Sequence, residues 1–189
     1  EDQTGLGPGT YTVVATDQNS CTISKTYTIT EPDAIAITGI SPVFSGFNVK
    51  CNGGNDGPID ISVTGGTLNY SYSWTTVGGS GLDQTAADQT GLTAGSYSVT
   101  ATDQNNCSKS ETFVITEPTA LNISSSSSLD ISCNGADDGS IDVTVSGGTS
   151  VYTYAWTVSG GGSVSDATAE DQTGLVSGTY TVTATDQNS

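Results

Sequence analysis

The chain has 189 residues and a formal net charge of −17, with only Lys25, Lys50 and Lys109 set against twenty carboxylates, and it holds no histidine. Nothing is available to neutralise phosphates, which excludes nucleic acid as a partner, and the acidity opposes docking on an anionic membrane. Without histidine there is no Ser-His or Cys-His nucleophile pair, and the adjacent carboxylates Asp137 and Asp138 fall on a turn rather than in an enclosure that would split their pKa values; no enzyme is expected.

One stretch recurs. Asp-Gln-Thr-Gly-Leu-x-x-Gly-x-Tyr-x-Val-x-Ala-Thr-Asp-Gln-Asn starts at Asp2, Asp88 and Asp171, with spacings of 86 and 83 residues. That period suits a small β-domain and is too long for a solenoid, so the chain divides into residues 1–32, 33–118 and 119–189. Residues 1–32 read as the end of a first repeat: a strand over 10–16, the polar turn Asp17 to Ser20, and a second strand around Tyr27 and Ile29. Their apolar face lacks a facing sheet and is expected to be ordered only by neighbours. Glu31-Pro32 closes this piece as Glu117-Pro118 closes the next, because proline removes a ladder donor and ends the strand.

Residues 33–118 carry a whole repeat. Ala34 to Ile40 and Phe47 to Cys51 are candidate pieces of a first strand. Ile59, Ile61 and Val63 alternate with polar residues until Gly65-Gly66, and Tyr70, Tyr72 and Trp74 share the face of the next strand. A glycine-rich stretch from Val77 to Ala87 reads as loop or a short edge strand. Tyr97, Val99 and Ala101 then alternate inward, and Phe113 and Ile115 do so on the last strand. Residues 119–189 repeat this pattern with Trp156 and Tyr180 and stop before the last strand. A leucine, a glycine two residues ahead of a tyrosine, and that tyrosine opening a strand resemble the tyrosine corner of immunoglobulin-like sandwiches, at Tyr11, Tyr97 and Tyr180; Trp74 and Trp156 take the central core position. The expected fold is all-β: tandem immunoglobulin-like β-sandwich repeats in an extended array. Residues 1–20 nearly duplicate residues 170–189, so the chain reads as a window on a longer protein whose secretion signal and anchor lie elsewhere. No apolar run approaches a membrane span, so this segment is not expected to insert in a bilayer.

The motif Cys-Asn-Gly-Gly-Asn-Asp-Gly-x-Ile-x-Ile-x-Val-x-Gly-Gly from Cys51, then Tyr-x-Tyr-x-Trp, then the stretch from Gly91 to Cys107 and the closing Thr116-Glu117-Pro118 together resemble the SprB repeat. That family builds giant surface adhesins of gliding Bacteroidota, exported by the type IX secretion system. The resemblance implies a long extracellular filament or adhesin on a bacterial cell surface, with neighbouring repeats of the same chain, and other copies in a filament, as partners. Gliding itself is not implied, and Pro58 and Leu68-Asn69 depart from the usual pattern at turns.

Four cysteines in an acidic, exported β-array point to disulfides. Pairing Cys51 with Cys107 inside the whole repeat is the simplest arrangement, leaving Cys21 and Cys133 to partners outside the chain. The alternative joins Cys51 to the cysteine after the Asp-Gln-Asn turn of the following repeat, because the two ends of a sandwich lie about 25 Å apart for a strand of about eight residues and a disulfide needs Cα atoms within about 7 Å. No cofactor is expected, with calcium as the open alternative: Asp56, Asp103, Asn105 and Asp138 lie on turns whose first role is geometric but whose oxygens suit calcium, and Glu31 or Glu117 can meet the Asp-Gln-Asn turn of the next repeat. The expected role is a mechanical shaft or spacer. The rival is a glycan- or surface-binding module using the loop after Trp74 and Trp156, which predicts exposed aromatics there; none occurs between Thr75 and Ala87 or between Thr157 and Ala169.

Overall fold

The computed structural model describes residues 2–188. Thirteen strands follow one another: β1 (Gly9–Thr16), β2 (Thr22–Ile29), β3 (Ala36–Ile40), β4 (Gly57–Thr64), β5 (Ser71–Val77), β6 (Gln89–Leu92), β7 (Gly95–Thr102), β8 (Ser108–Ile115), β9 (Asn122–Leu129), β10 (Gly139–Ser146), β11 (Thr153–Ser159), β12 (Gln172–Leu175) and β13 (Thr179–Thr185).

In the whole repeat, β3-β4-β6 form one antiparallel sheet and β5-β7-β8 another. With the strands lettered in order, this is A-B-E against C-F-G, the connectivity of an immunoglobulin-type sandwich without its D strand. Alternation fills the space between the sheets. Ile59 and Ile61 from β4, Trp74 from β5, Leu92 from β6, Tyr97, Val99 and Ala101 from β7 and Ile115 from β8 are all buried, each large side chain contributing on the order of 2 kcal/mol of transfer free energy. Phe113 packs beside Trp74 with ring centroids 6.3 Å apart.

Two details differ from the sequence reading. The segment 47–51 is no strand: Phe44 and Phe47 form an isolated bridge, and Val49, fully buried, plugs the end of the core. Its backbone N–H and that of Asn48 both bond to the Thr116 carbonyl, so this loop is stitched to the end of β8. The short edge strand lies at Gln89–Leu92 rather than within Val77 to Ala87, since a run with so many glycines contributes few side chains to a sheet face, whereas Gln89 and Leu92 are both buried.

The third repeat reuses the design with β9-β10-β12 facing β11-β13. The serine run 124–128 lies within β9, which pairs along β10 with one register shift. Here Val143, Trp156 and Leu175 are buried, but Tyr180 and Val182, equivalent to the wholly buried Tyr97 and Val99, are only half-buried. Strand β13 pairs with β11 alone among the described residues, so nothing equivalent to Phe113 and Ile115 covers them. At the other extreme, β1 and β2 make a hairpin in full register that leaves Val13, Val14, Ile23 and Tyr27 more than half exposed.

Candidate functional site

The repeated residues converge on the two ends of each sandwich. At the entry end, Asp103 ends β7 and folds the next turn around its carboxylate. Oδ1 accepts the N–H groups of Asn105 and Cys107, both at 2.9 Å, and Oδ2 accepts that of Thr67 at 2.9 Å. These donors, Thr67 foremost, hold the Asp103 carboxyl below its usual value despite an opposing cost of desolvation. Gly66 donates to Asp33 O, at the start of the repeat. The other copies repeat the arrangement: Asp17 accepts from Asn19 and Cys21 at 2.9 and 2.8 Å, and Asp186 accepts from Thr149 and Asn188 at 2.9 and 3.1 Å.

At the exit end the tyrosine hydroxyls act. The Tyr97 hydroxyl donates toward Thr93 O at 2.7 Å and Ser80 O at 2.9 Å and accepts the Ser80 N–H at 3.1 Å. Tyr11 reaches Gly7 O and Tyr180 reaches Val176 O, each at 2.8 Å. All three therefore bond to a carbonyl four residues upstream, the geometry of the tyrosine corner. Trp74 and Trp156 are buried, and their indole N–H groups donate to Ala86 O and Ala169 O at 2.8 Å.

Sequence reading missed the roles of the Asp-Gln pair that opens each recurring stretch. Asp88 Oδ1 accepts the Ile61 N–H at 2.9 Å and Asp171 that of Val143 at 3.0 Å, tying the loop before the short edge strand to β4 or β10. Gln89, almost wholly buried, accepts from Asp83 N at 2.9 Å and donates to Asp83 O at 2.8 Å; Gln172 donates to Asp166 O at 2.6 Å. Asp83 gathers the Thr85 N–H and hydroxyl and the Ala86 N–H, which holds its carboxyl low, and the Thr168 hydroxyl and N–H do the same for Asp166. The signal was in the sequence: Asp-Gln recurs in three copies although neither residue suits an apolar core.

Between the second and third repeats lies a junction. Asn52 Nδ2 donates to Pro118 O at 3.0 Å and Gly53 N to Glu117 Oε2 at 2.6 Å, and Pro118 is buried. Glu117 therefore turns back onto its own repeat instead of meeting the Asp-Gln-Asn turn of the next, because the Gly53 N–H offers its carboxylate a closer donor. From the far side Asn188 Nδ2 donates to Phe44 O at 3.5 Å, and Ser45 Oγ donates to Asn188 Oδ1 at 3.2 Å. A cleft of ≈ 360 Å³ at this junction is lined by residues of both repeats, including Cys51, Asn52, Thr185 and Asp186. Pro32 at the earlier junction is exposed.

The cysteines sit at these ends, exposed and as free thiols. Cys51 lies at the exit end, three residues after Asn48 and its bonds to Thr116, and Cys107 at the entry end on Asp103. The eight-residue strand β7 separates the two ends, about 25 Å at the usual rise. A bond between Cys51 and Cys107 is therefore ruled out by length.

The candidate calcium ligands are engaged singly. Asp56 Oδ1 accepts the Lys50 N–H at 3.2 Å and Asp138 Oδ1 that of Ser132 at 2.9 Å; the Ser132 hydroxyl and N–H hold the Asp138 carboxyl low. Asn105 Nδ2 donates to Thr67 Oγ1 at 2.8 Å, and Glu31 is exposed. Among the described residues no three acidic or cysteine side chains gather around one point.

Two antiparallel sheets in A-B-E and C-F-G order, a tryptophan between them and a tyrosine corner at one end define an immunoglobulin-like sandwich, here in tandem. The family model for the SprB repeat matches residues 47–79 and 125–161, two segments that each run to just past the tryptophan strand and that are similar to that repeat. Among solved structures, the three N-terminal domains of the bacteriophage RB49 highly immunogenic outer capsid protein (Hoc) align over 82% of this chain and 55% of theirs, at 20% identity and a TM-score of 0.42. The chain thus spans about half the length of that structure. No curated protein matches.

Proposed function

We propose that the chain is a shaft segment of a long extracellular adhesin or filament on a bacterial cell surface, with a mechanical and spacing role. The observation that supports this reading most directly is the junction: one repeat's exit end meets the next repeat's entry end, and Asn188 of the third repeat bonds to Ser45 and Phe44 of the second across the contact. Such a contact transmits orientation along the array. Each unit adds a tryptophan-centred core, and the acidic surface keeps neighbouring shafts apart and soluble. The match to the SprB repeat supports the surface-adhesin setting. The loops after Trp74 and Trp156 offer no aromatic platform for a sugar, which favours a shaft over a glycan-binding module.

The test is surface labelling of intact producing cells with an antibody raised against residues 33–118, alongside small-angle scattering of the purified chain. Labelling without lysis and a rod-like particle are expected. Labelling only after lysis, or repeats that scatter as freely jointed beads, would refute the reading.

A further inference from the structure

We infer that the cysteines of this array form disulfides between consecutive repeats, joining the Cys51-type residue at the exit end of one repeat to the Cys107-type residue at the entry end of the next. This goes beyond the shaft reading and does not depend on it, since it needs the tandem arrangement alone.

Three observations converge. First, the two cysteine positions of one repeat lie at opposite ends, so no bond within a repeat can satisfy them. Second, the entry-end turn has one geometry in the two copies that carry its cysteine: Asp17 N donates to Cys21 O at 3.0 Å and Asp103 N to Cys107 O at 2.9 Å, while each cysteine N–H returns to the aspartate Oδ1. The cysteine four residues after the aspartate therefore always sits directly across from it. Third, the equivalent aspartate of the third repeat, Asp186, lines the same junction cleft as Cys51. Its neighbour Asn188 already bonds to Phe44 and Ser45, on the loop that carries Cys51. Asn188 N–H bonds to Asp186 Oδ1 as Asn19 N–H does to Asp17 Oδ1, so a cysteine placed four residues after Asp186, as Cys21 is after Asp17, would stand at the mouth of that cleft.

By the same rule Cys107 takes its partner from the exit-end loop of the preceding repeat, Cys21 from the one before that, and Cys133 from the repeat that follows. By this rule no two of the four cysteines here are partners. The bond forms by thiol–disulfide exchange with a small disulfide such as oxidised glutathione. One cysteine thiolate displaces a glutathione thiolate, and the partner thiolate attacks the mixed disulfide and releases the second. The protein gives up two electrons and two thiol protons, and one glutathione disulfide becomes two thiols. Both cysteines are exposed and therefore open to this exchange. The linkage would convert each hydrogen-bonded junction into a covalent one.

The test lengthens the chain after Ser189 with a second copy of its own residues 21–32, which places a cysteine at the position equivalent to Cys21 and Cys107. After equilibration with oxidised and reduced glutathione, the protein is alkylated, cleaved at acidic residues and mapped without reduction. The peptide that carries the added cysteine is told from that of Cys21 because, with cleavage after acidic residues and a Glu-Pro bond that resists it, the Cys21 peptide runs on to Asp33 while the added copy ends at its proline. One linkage is expected, between Cys51 and the added cysteine, with Cys21, Cys107 and Cys133 alkylated. In the Cys51→Ser variant, whose exposed site tolerates the change, the added cysteine should be recovered as an alkylated thiol. A Cys51 to Cys107 linkage, a Cys51 thiol still free after oxidation, or a disulfide on the added cysteine that survives in Cys51→Ser would each overturn the inference.

Discussion

Replacing Tyr97 by Phe removes one oxygen from the exit end and leaves the buried ring in place. That oxygen has a single proton to share between Thr93 O and Ser80 O, and it accepts from Ser80 N. The change therefore deletes two hydrogen bonds at once. Each is worth about 1 kcal/mol net, and a partner left without water adds about 1 kcal/mol more. Ser80 is exposed and its N–H keeps a second acceptor in Thr93 Oγ1 at 2.9 Å, so only the half-buried Thr93 carbonyl carries that extra penalty. The expected loss is about 2–3 kcal/mol. Tyr180→Phe removes a single bond, to Val176 O, from a half-exposed residue, and should cost about 1 kcal/mol. The assay is urea unfolding followed by tryptophan fluorescence, and since the second and third repeats each hold one tryptophan, a Trp156→Phe background isolates the repeat around Trp74. With a denaturant slope of about 1–2 kcal/mol per molar, Tyr97→Phe should lower the midpoint by roughly 1–3 M without changing the slope. A shift no greater than that of Tyr180→Phe in the matching background would refute the claim that the corner locks the exit end.

Gly65 and Gly53 separate backbone conformation from space. Both have positive φ, +77° and +73°, but an added Cβ at Gly65 would lie 2.0 Å from Ala34 O while nothing lies within 4 Å at Gly53. Gly65→Ala should thus cost well over the roughly 1–2 kcal/mol of left-handed strain that Gly53→Ala pays alone; equal midpoints in urea would contradict this. Acid should loosen the array in a defined window. Asp83, Asp103, Asp138 and Asp166 all titrate below the ordinary 3.8 in the folded chain, so each contributes stability that is complete above its unfolded value and is lost as pH falls through the folded one. Protonation also relieves the repulsion of a chain at −17, which works the other way, so the decisive measurement is the difference between the wild type and Asp103→Asn from pH 6 to pH 2. That gap should be widest at pH 6 and close as the pH falls; a gap that stays constant would show that the Asp103 charge plays no part in holding its turn.

How much was legible in the sequence depended on the range of the interaction. Period-2 alternation placed β4, β5, β7 and β8 together with their buried residues, because a strand's two faces are fixed by the chain itself. Three copies in one frame likewise gave away the tyrosine corner. The four-residue strands β6 and β12 are too short to show a period, and the burial of their polar Gln89 and Gln172 follows only from the partners that Asp83 and Asp166 offer them. Val49 looked like part of a strand because burial alone does not distinguish a plug from a strand residue.

The sequence by itself determined that the chain is a tandem of sandwiches, since repeat length, alternation and turn chemistry are local properties written again in each copy. Only the tertiary structure decided which end of a sandwich each loop occupies. That depends on how sheets separated by dozens of residues close over a shared core, and it is why Cys51 and Cys107, so readily paired on paper, stand a strand's length apart while Cys51 faces the neighbouring repeat.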